Sequence, residues 1–403
     1  MIFDDLVFFL FFLAPCVTLF HRVRDAFRPW VITAFGVGFF LYFSALYFGG
    51  AWGALTVVIL LWECATSRLY RKGSRWCFFG IAQAIAILCA FKYLVFFGRV
   101  WNDAASIVSL PPLHGLPRLV LPLGLSFFTF EFISYAADCY VGKIAGSRLR
   151  DYAAFIFFFP TMVSGPIKRF PQFRAELEHA RFDPAAVSQG ITRIAVGLAK
   201  KHALADTFDL WASRLNTDAL YSASRLTIAW QLVAYGWKIY FDFSSYSDIA
   251  IGSGKLFGIV VPENFDFPYL ARNIAEFWRR WHISLLAWLQ SYVFIPLLFA
   301  GWRFPGLNGV ANLRRMAVCI LAVFFASGLW HGADYHFVVW GLYHGVLVAG
   351  FLFVDKLMKD RAWKLPAPVG VALTYGAVNA GYAFFAMDMP HAWFALERIA
   401  GLV

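Results

Sequence analysis

Stretches of about 20 mainly apolar residues, each long enough to cross a bilayer as a helix, recur along the first third of the chain with short basic segments between them. They lie at roughly 6–20, 30–48, 51–66, 76–97 and 119–140. Composition fits: of 403 residues, 61% are hydrophobic and only 15% charged, where an average soluble domain is about a quarter charged. A water-soluble enzyme and a disordered chain are both excluded, and the lipid bilayer is the first partner implied. Lipid covers the apolar surface here, so the usual prior of one domain per roughly 150 residues does not apply. The expected fold is all-α, a polytopic membrane protein of roughly 10–12 spans, with residues 1–403 forming a single transmembrane domain.

Thirty-five Lys and Arg against 24 Asp and Glu leave a net charge of +11. In a soluble protein that excess points to nucleic acid. In this composition the positive-inside bias and an anionic cofactor explain it better, and no nucleic-acid partner is expected. The basic loops 21–28 (Arg22, Arg24, Arg28) and 68–75 (Arg68, Arg71, Lys72, Arg75) are two runs apart, so they share one side, which is predicted cytoplasmic. Lys143, Arg148 and Arg150 return to that side, which places the N-terminus outside. The segment Leu13-Ala14-Pro15-Cys16 has the look of a lipoprotein signal, but Asp4 and Asp5 stand where a basic region belongs, so a retained first span is expected. Six scattered cysteines without a C-x-x-C read as small core hydrophobes, with neither a zinc site nor a disulfide framework.

Beyond residue 150 the pattern changes. Phe155 to Val163 is apolar but too short to cross, and it runs into Ser164-Gly165-Pro166 and the basic residues Lys168, Arg169, Arg174 and Arg181. A re-entrant loop fits better, and irregular backbone at membrane depth is tolerated only where protein buries it or water lines it. Further apolar runs cover about 186–204, 225–241, 311–329, 334–354 and 369–387. No internal repeat is visible, which weighs against a transporter built from two halves.

Ionisable groups within such runs are costly and are functional candidates by default. Glu131 and Asp138 share one run. Lys238 and Asp242 are one helical turn apart, so they form either an i,i+4 ion pair or part of a substrate tunnel. Between Pro262 and Pro296, Asn273 and Glu276 have the form of a capping box. Trp278, Trp281, Leu285, Trp288 and Tyr292 recur at helical spacing, as in an amphipathic helix at the bilayer boundary. His282 lies between Trp281 and Ile283, where a titratable ring needs a partner. His331 ends another apolar run and is followed by Gly332, with His336 and His344 further on. On one helix these would stand about 140° and 220° from His331, so neither shares its face as metal ligands at i,i+4 must, and no metal site is expected. A buried neutral histidine suits general-base work. A haem-binding protein or a non-enzymatic transporter is the rival reading from another class.

The run Glu263-Asn264-Phe265, Pro268-Tyr269 and Glu276-Phe277-Trp278-Arg279-Arg280-Trp281-His282-Ile283-Ser284-Leu285, with Gly328-Leu329-Trp330-His331-Gly332 some fifty residues later, resembles the membrane-bound O-acyltransferases. The bacterial branch that holds the alginate O-acetyltransferase membrane subunit is the most similar. Leu121 to Phe130, Gly165-Pro166-Ile167-Lys168-Arg169 and Tyr240 to Asp248 extend the likeness over most of the chain. Only Gly332 to Val403 follow the second motif, a tail more similar to that of the teichoic acid D-alanyl transferases.

The resemblance implies a bundle with re-entrant and interfacial helices around a tunnel open to both faces of a bacterial cytoplasmic membrane. It maps the family's invariant histidine onto His331 and its second motif residue, a histidine or asparagine, onto His282. His331 is expected to act as general base on an acceptor hydroxyl, and His282 to position the thioester or donate to the oxyanion. Lys168, Arg169, Arg279 and Arg280 are expected at the donor's phosphates, unless they are ordinary positive-inside anchors, and Asp242, Trp278 and Trp330 among the other substrate contacts. No bound cofactor is expected. The acyl donor would be acetyl-CoA or a phosphopantetheine-carrier thioester, and an extracytoplasmic esterase-like or acyltransferase partner would complete O-acetylation of an exported polysaccharide. The alternative is D-alanyl transfer from a carrier protein to a teichoic-acid-like polymer.

Overall fold

Helix dominates the computed structural model, which describes residues 2–144, 147–300, 310–358 and 365–402. Six helices among the described residues are long and apolar enough to cross a membrane: Asp25–Phe48, Gly50–Lys72, Ser74–Ile107, Leu313–His331, Tyr335–Leu357 and Ala367–Ala386. Other runs expected to cross are shorter or interrupted, and the run 225–241 lies in a 33-residue helix, Arg225–Phe257, that is not apolar enough to count as a span. Phe8–Arg22 begins as a π-helix over Phe8–Leu13. In the run 119–140 the helix starts only at Leu125, because Gly124 takes a left-handed turn at φ 76°. The run 186–204 passes from Pro184–Ala199 into a π-helical segment, Lys200–Ala205.

The chain divides into two units, Met1–Leu198 with Tyr246–Pro262 and Ala199–Ser245 with Glu263–Val403. The first contains α1 (Arg28–Phe48), α2 (Gly50–Thr66), α3 (Ser74–Leu88), α4 (Leu125–Tyr140), α5 (Leu149–Ile156), α6 (Phe170–His179), α7 (Pro184–Ala199) and the C-terminal part of α8 (Arg225–Phe257). Pro29 opens α1, where a missing N–H costs nothing, and Gly49 ends it. The segment after α5, expected to be re-entrant, is enclosed by protein: Phe155 to Phe159 are completely buried. Phe158 packs edge-on against Phe173 and Phe257, and Phe159 stacks on Phe39.

Protein thus supplies the hydrogen bonds that irregular backbone needs at depth. Phe157 N–H donates to the Ala153 carbonyl, Tyr246 O–H to that of Pro160, and Ser164 N–H to the Tyr246 hydroxyl. Gly36 lets α1 approach this segment, since a Cβ there would stand 2.1 Å from the Phe157 oxygen. Beneath it Lys168, 4% exposed, pairs with Glu131 at 2.5 Å and lies 4.5 Å from the Phe155 ring centre.

The second unit holds the N-terminal part of α8, then α9 (Ile274–Arg280), α10 (Ile283–Leu289), α11 (Val310–His331), α12 (Tyr335–Leu357), α13 (Ala367–Ala386) and α14 (Met389–Ala400). The expected Lys238–Asp242 pair does not form. Lys238 reaches Asp209 at 3.5 Å and Asp242 reaches Lys201 at 2.8 Å, because each side chain finds an opposite charge on another segment. The expected capping box is present in altered form: the Asn273 side chain accepts from Glu276 N–H, while the Glu276 carboxylate accepts from Arg272 N–H, both at 2.8 Å. Helices α11 and α12 meet as an antiparallel pair at Gly328, where a Cβ would lie 2.3 Å from the Phe337 oxygen.

Removing one partner of a buried ion pair leaves an unmatched charge, at a cost of about 3–5 kcal/mol. Lys168→Met should therefore lower the melting temperature in detergent, and Glu131→Leu with Lys168→Met should recover most of the loss. A double variant no better than the single one would contradict the pairing.

Candidate active site

The tryptophan stripe expected to lie on one helix is broken in the middle. Helix α9 ends at Arg280, Trp281 forms an antiparallel bridge with Phe265, and α10 starts at Ile283. Between them His282 takes φ 47° and ψ 50°, a left-handed conformation that costs a non-glycine residue about 1–2 kcal/mol. The break is held from upstream. Asp266 N–H donates to the Arg280 carbonyl and Ile283 N–H to that of Asn264, each at 3.0 Å, and the Ser284 hydroxyl donates to Asn264 Oδ1 at 2.5 Å. Trp278, Trp281, Leu285 and Trp288 remain buried, so the stripe still faces protein, but from two short helices.

The break turns the His282 ring into an apolar enclosure. It is 2% exposed and packs edge-on against Phe243 at 4.6 Å between ring centres. Neither ring nitrogen has a hydrogen-bond partner among the described residues. Buried polar atoms are nearly always paired, so an unpaired one asks for a water or a ligand. Burial pushes its pKa down from the ordinary 6.5 to about 3. The ring is therefore a neutral imidazole, with one N–H donor and one acceptor nitrogen.

From His282 a continuous run of rings leads to the second motif. Trp330 lies 6.1 Å from His282 and 4.8 Å from His331. His331, at the end of α11 and only partly buried, packs edge-on against Trp340 at 5.0 Å and Phe385 at 4.9 Å. Trp340 in turn touches His344 at 5.1 Å, and His344 touches Trp278 at 5.1 Å. The Trp278 and Trp340 indole nitrogens and His344 Nδ1 are also buried without a partner. His336 joins the run of rings through Phe337 and Phe385, but its Nδ1 bonds the Phe384 carbonyl at 2.8 Å.

Of the residues expected at the site, His282, Trp330, His331 and Trp278 are joined through these ring contacts. Arg279 is exposed beside Trp278, where the two help to line a cavity of about 310 Å³ with Gln290, Met316 and Phe324. Arg280 is engaged by Glu276 at 2.7 Å, and that carboxyl is held below the ordinary range first by the Arg272 N–H and then by Arg280. Lys168 and Arg169 belong to the other unit, where Glu131 already matches the Lys168 charge. Asp242 is matched by Lys201. His344 was weighed from sequence only as a metal ligand. Its spacing four residues after Trp340 and four before Val348, all three buried, is the signal that places it on the packed face of α12. Among the described residues no three His, Cys, Asp or Glu side chains converge as a metal would require.

A chain with several bilayer-length helices and two histidines linked through a tryptophan has the ingredients of a membrane acyl-transfer enzyme. The family model of the membrane-bound O-acyltransferases matches residues 126–373, a stretch that includes both histidines. The chain belongs to that family, and it is a membrane-embedded O-acyltransferase. It is 32% identical over 412 residues to a probable alginate O-acetylase of Pseudomonas aeruginosa, covering 99% of this chain and 75% of that protein. It is 31% identical to a peptidoglycan O-acetyltransferase of Helicobacter pylori, over 81% of this chain and 65% of that one. Against a teichoic acid D-alanyltransferase of Bacillus subtilis the identity is 30%, over 72% of this chain and 74% of the relative.

The low pKa of His282 has a consequence for stability. The folded chain keeps the ring neutral down to about pH 3, whereas an unfolded chain protonates it near pH 6.5. Below that value the unfolded state binds more protons, and the fold loses stability as pH falls. His282→Asn keeps a residue that tolerates a positive φ and removes the proton site. The fall in melting temperature between pH 7 and pH 5 should be smaller in this variant than in the parent chain, and an equal fall would show that the ring is not held neutral.

Proposed function

We infer that the chain moves an acyl group, acetyl in the favoured reading, from a cytoplasmic thioester to a hydroxyl of an exported cell-envelope polysaccharide, in a bacterial cytoplasmic membrane. The observation that carries this reading is the unpaired, neutral His282 in line with Trp330 and His331. The similarity to alginate and peptidoglycan O-acetylating proteins supports acetyl over D-alanyl, since the alginate relative aligns over nearly the whole chain.

In the proposed reaction His331 takes the proton from the acceptor hydroxyl. The freed oxygen attacks the thioester carbonyl, a new C–O bond forms, and the C–S bond breaks. The thiolate that leaves takes the proton back from the imidazolium. General-base help of this kind contributes about 10²–10⁴-fold. His282 donates its N–H to the carbonyl oxygen as negative charge develops there, and a prepositioned donor of that type is worth about 10²–10³-fold. The neutral ring still carries the one N–H that this role needs. Trp330 sets the spacing of the two imidazoles.

Arg279, exposed and without a carboxylate partner among the described residues, is the cation best placed to meet the phosphates of coenzyme A or of a phosphopantetheine arm. Arg280 and Lys168 are occupied by Glu276 and Glu131, so they hold the fold in this scheme. Where an extracytoplasmic esterase-like or acyltransferase partner completes the transfer, the acceptor hydroxyl in this step belongs to the partner or to an intermediate carrier, and the partner then passes the acyl group to the polymer.

His331→Ala should lower acyl transfer by at least about a hundredfold with an unchanged melting temperature. His282→Ala should lose a similar factor while His282→Asn, which keeps an N–H donor, recovers much of it. Arg279→Gln should raise the donor's KM with little change in kcat. Purified protein given radiolabelled acetyl-CoA and, separately, aminoacyl carrier protein distinguishes the two donors. Turnover of only the second would replace acetyl with D-alanyl, and full activity of His331→Ala would overturn the assignment of the base.

A further inference from the structure

Helices α11 and α12 are packed closely through Gly328 and Gly341, but nearer the start of α11 they leave a groove of about 440 Å³. Cavities of about 300–1,000 Å³ are of the size that hold ligands. Its walls are apolar, with Ala317, Ile320 and Leu321 on one side and Val346, Ala349 and Gly350 on the other. Ala317, Ala349 and Gly350 hollow the groove, and a Cβ added at Gly350 would meet nothing within 4 Å. A mid-helix glycine is less favourable than alanine, and no close neighbour demands it here.

Both helices are long and apolar enough to cross a membrane, so the medium along them is acyl chain. Arg314 stands at the outer end of the groove, next to the first residue of the apolar stretch Leu313–His331. From Arg314 the lining extends inward to Leu321, seven residues or about 10 Å along the axis. Arg314 is exposed and makes no ion pair or hydrogen bond among the described residues. Its neighbour Arg315 is engaged, since its guanidinium donates to the Leu297 and Ala300 carbonyls. The groove shares Met316 and Ile320 with the cavity beside Trp278, but its cation is Arg314 and not Arg279.

We propose that this groove holds an anionic phospholipid, with one acyl chain along Ala317, Gly350 and Leu321 and the phosphate at Arg314. An apolar channel ending in an unmatched cation at a span boundary complements a lipid that has one negative charge above a hydrocarbon tail. A basic side chain near the surface favours anionic over zwitterionic lipid by about fivefold. Such a lipid would fill the gap between α11 and α12, the helices that carry His331 and His344, and bind independently of the acyl donor.

The test uses the full chain, delipidated in mild detergent and examined by native mass spectrometry. Phosphatidylglycerol, phosphatidylethanolamine and inorganic phosphate are added in separate arms. The expected result is a phosphatidylglycerol adduct favoured about fivefold over phosphatidylethanolamine, with no displacement by phosphate. Gly350→Phe and Ala317→Leu, which fill the groove from opposite walls, should each lose the adduct, while Gly350→Ala keeps it. Arg314→Gln should bind both lipids equally. Equal binding of the two lipids to the parent chain, an unchanged adduct in a folded groove-filling variant, displacement of the lipid by phosphate, or a dimer mass in place of a lipid adduct would each overturn the proposal.

Discussion

A backbone that leaves the helix while buried away from water must find its hydrogen-bond partners in the protein itself. Two interruptions shape this chain. After α5 the backbone turns through residues 157–165, and buried phenylalanines and Tyr246 enclose it. At Trp281 and His282 it breaks again, with Asp266 N–H and the Asn264 carbonyl supplying the missing partners on either side of the Phe265–Trp281 bridge. The first break is fully absorbed into packing. The second leaves the His282 nitrogens unpaired, and the unpaired Trp278, Trp340 and His344 nitrogens lie in the same unit.

The same contrast sorts the charges. Lys168, Asp242 and Arg280 each have an opposite charge in contact, and burial or pairing already accounts for their presence. Arg279 and Arg314 have none among the described residues, and each lines a cavity. Exposed ion pairs contribute little to stability, about 0–1 kcal/mol. An unmatched arginine beside a cavity is therefore more informative about binding than a matched one is about folding.

Much of this was legible in the sequence, for local reasons. Apolar length marked the helices, Asn273 and Glu276 marked the start of α9, and the short run before Ser164 marked the re-entrant segment. The two histidine motifs were legible through their wording. What could not be read depended on distant partners. Trp278, Trp281, Leu285 and Trp288 keep helical spacing across a point where no helix exists, because the break is imposed by Asn264 and Phe265, and periodicity carries no record of them. Lys238 and Asp242 have the spacing of an ion pair, yet closer opposite charges on other segments win. Lys168 reads from the sequence as a cytoplasmic cation, because its partner Glu131 lies 37 residues away along the chain. The spacing of His344 with Trp340 and Val348 marks a packed helix face, but its contact with Trp278 depends on the fold.

The left-handed conformation of His282 links these points. A residue in that region is strained by about 1–3 kcal/mol and persists only where its surroundings over-determine it. Here the surroundings are the Phe265–Trp281 bridge, the two backbone hydrogen bonds beside it and the Ser284 contact to Asn264. Each would form around any residue that accepts the conformation, so the direction of the ring is set before a ligand arrives. A flexible histidine in water would reorient for each turnover and would be protonated part of the time. This one is neutral because it is buried, and aimed because its backbone is pinned. Together the two constraints leave a neutral imidazole held in one orientation, with an N–H free among the described residues, which is what the proposed reaction asks of it.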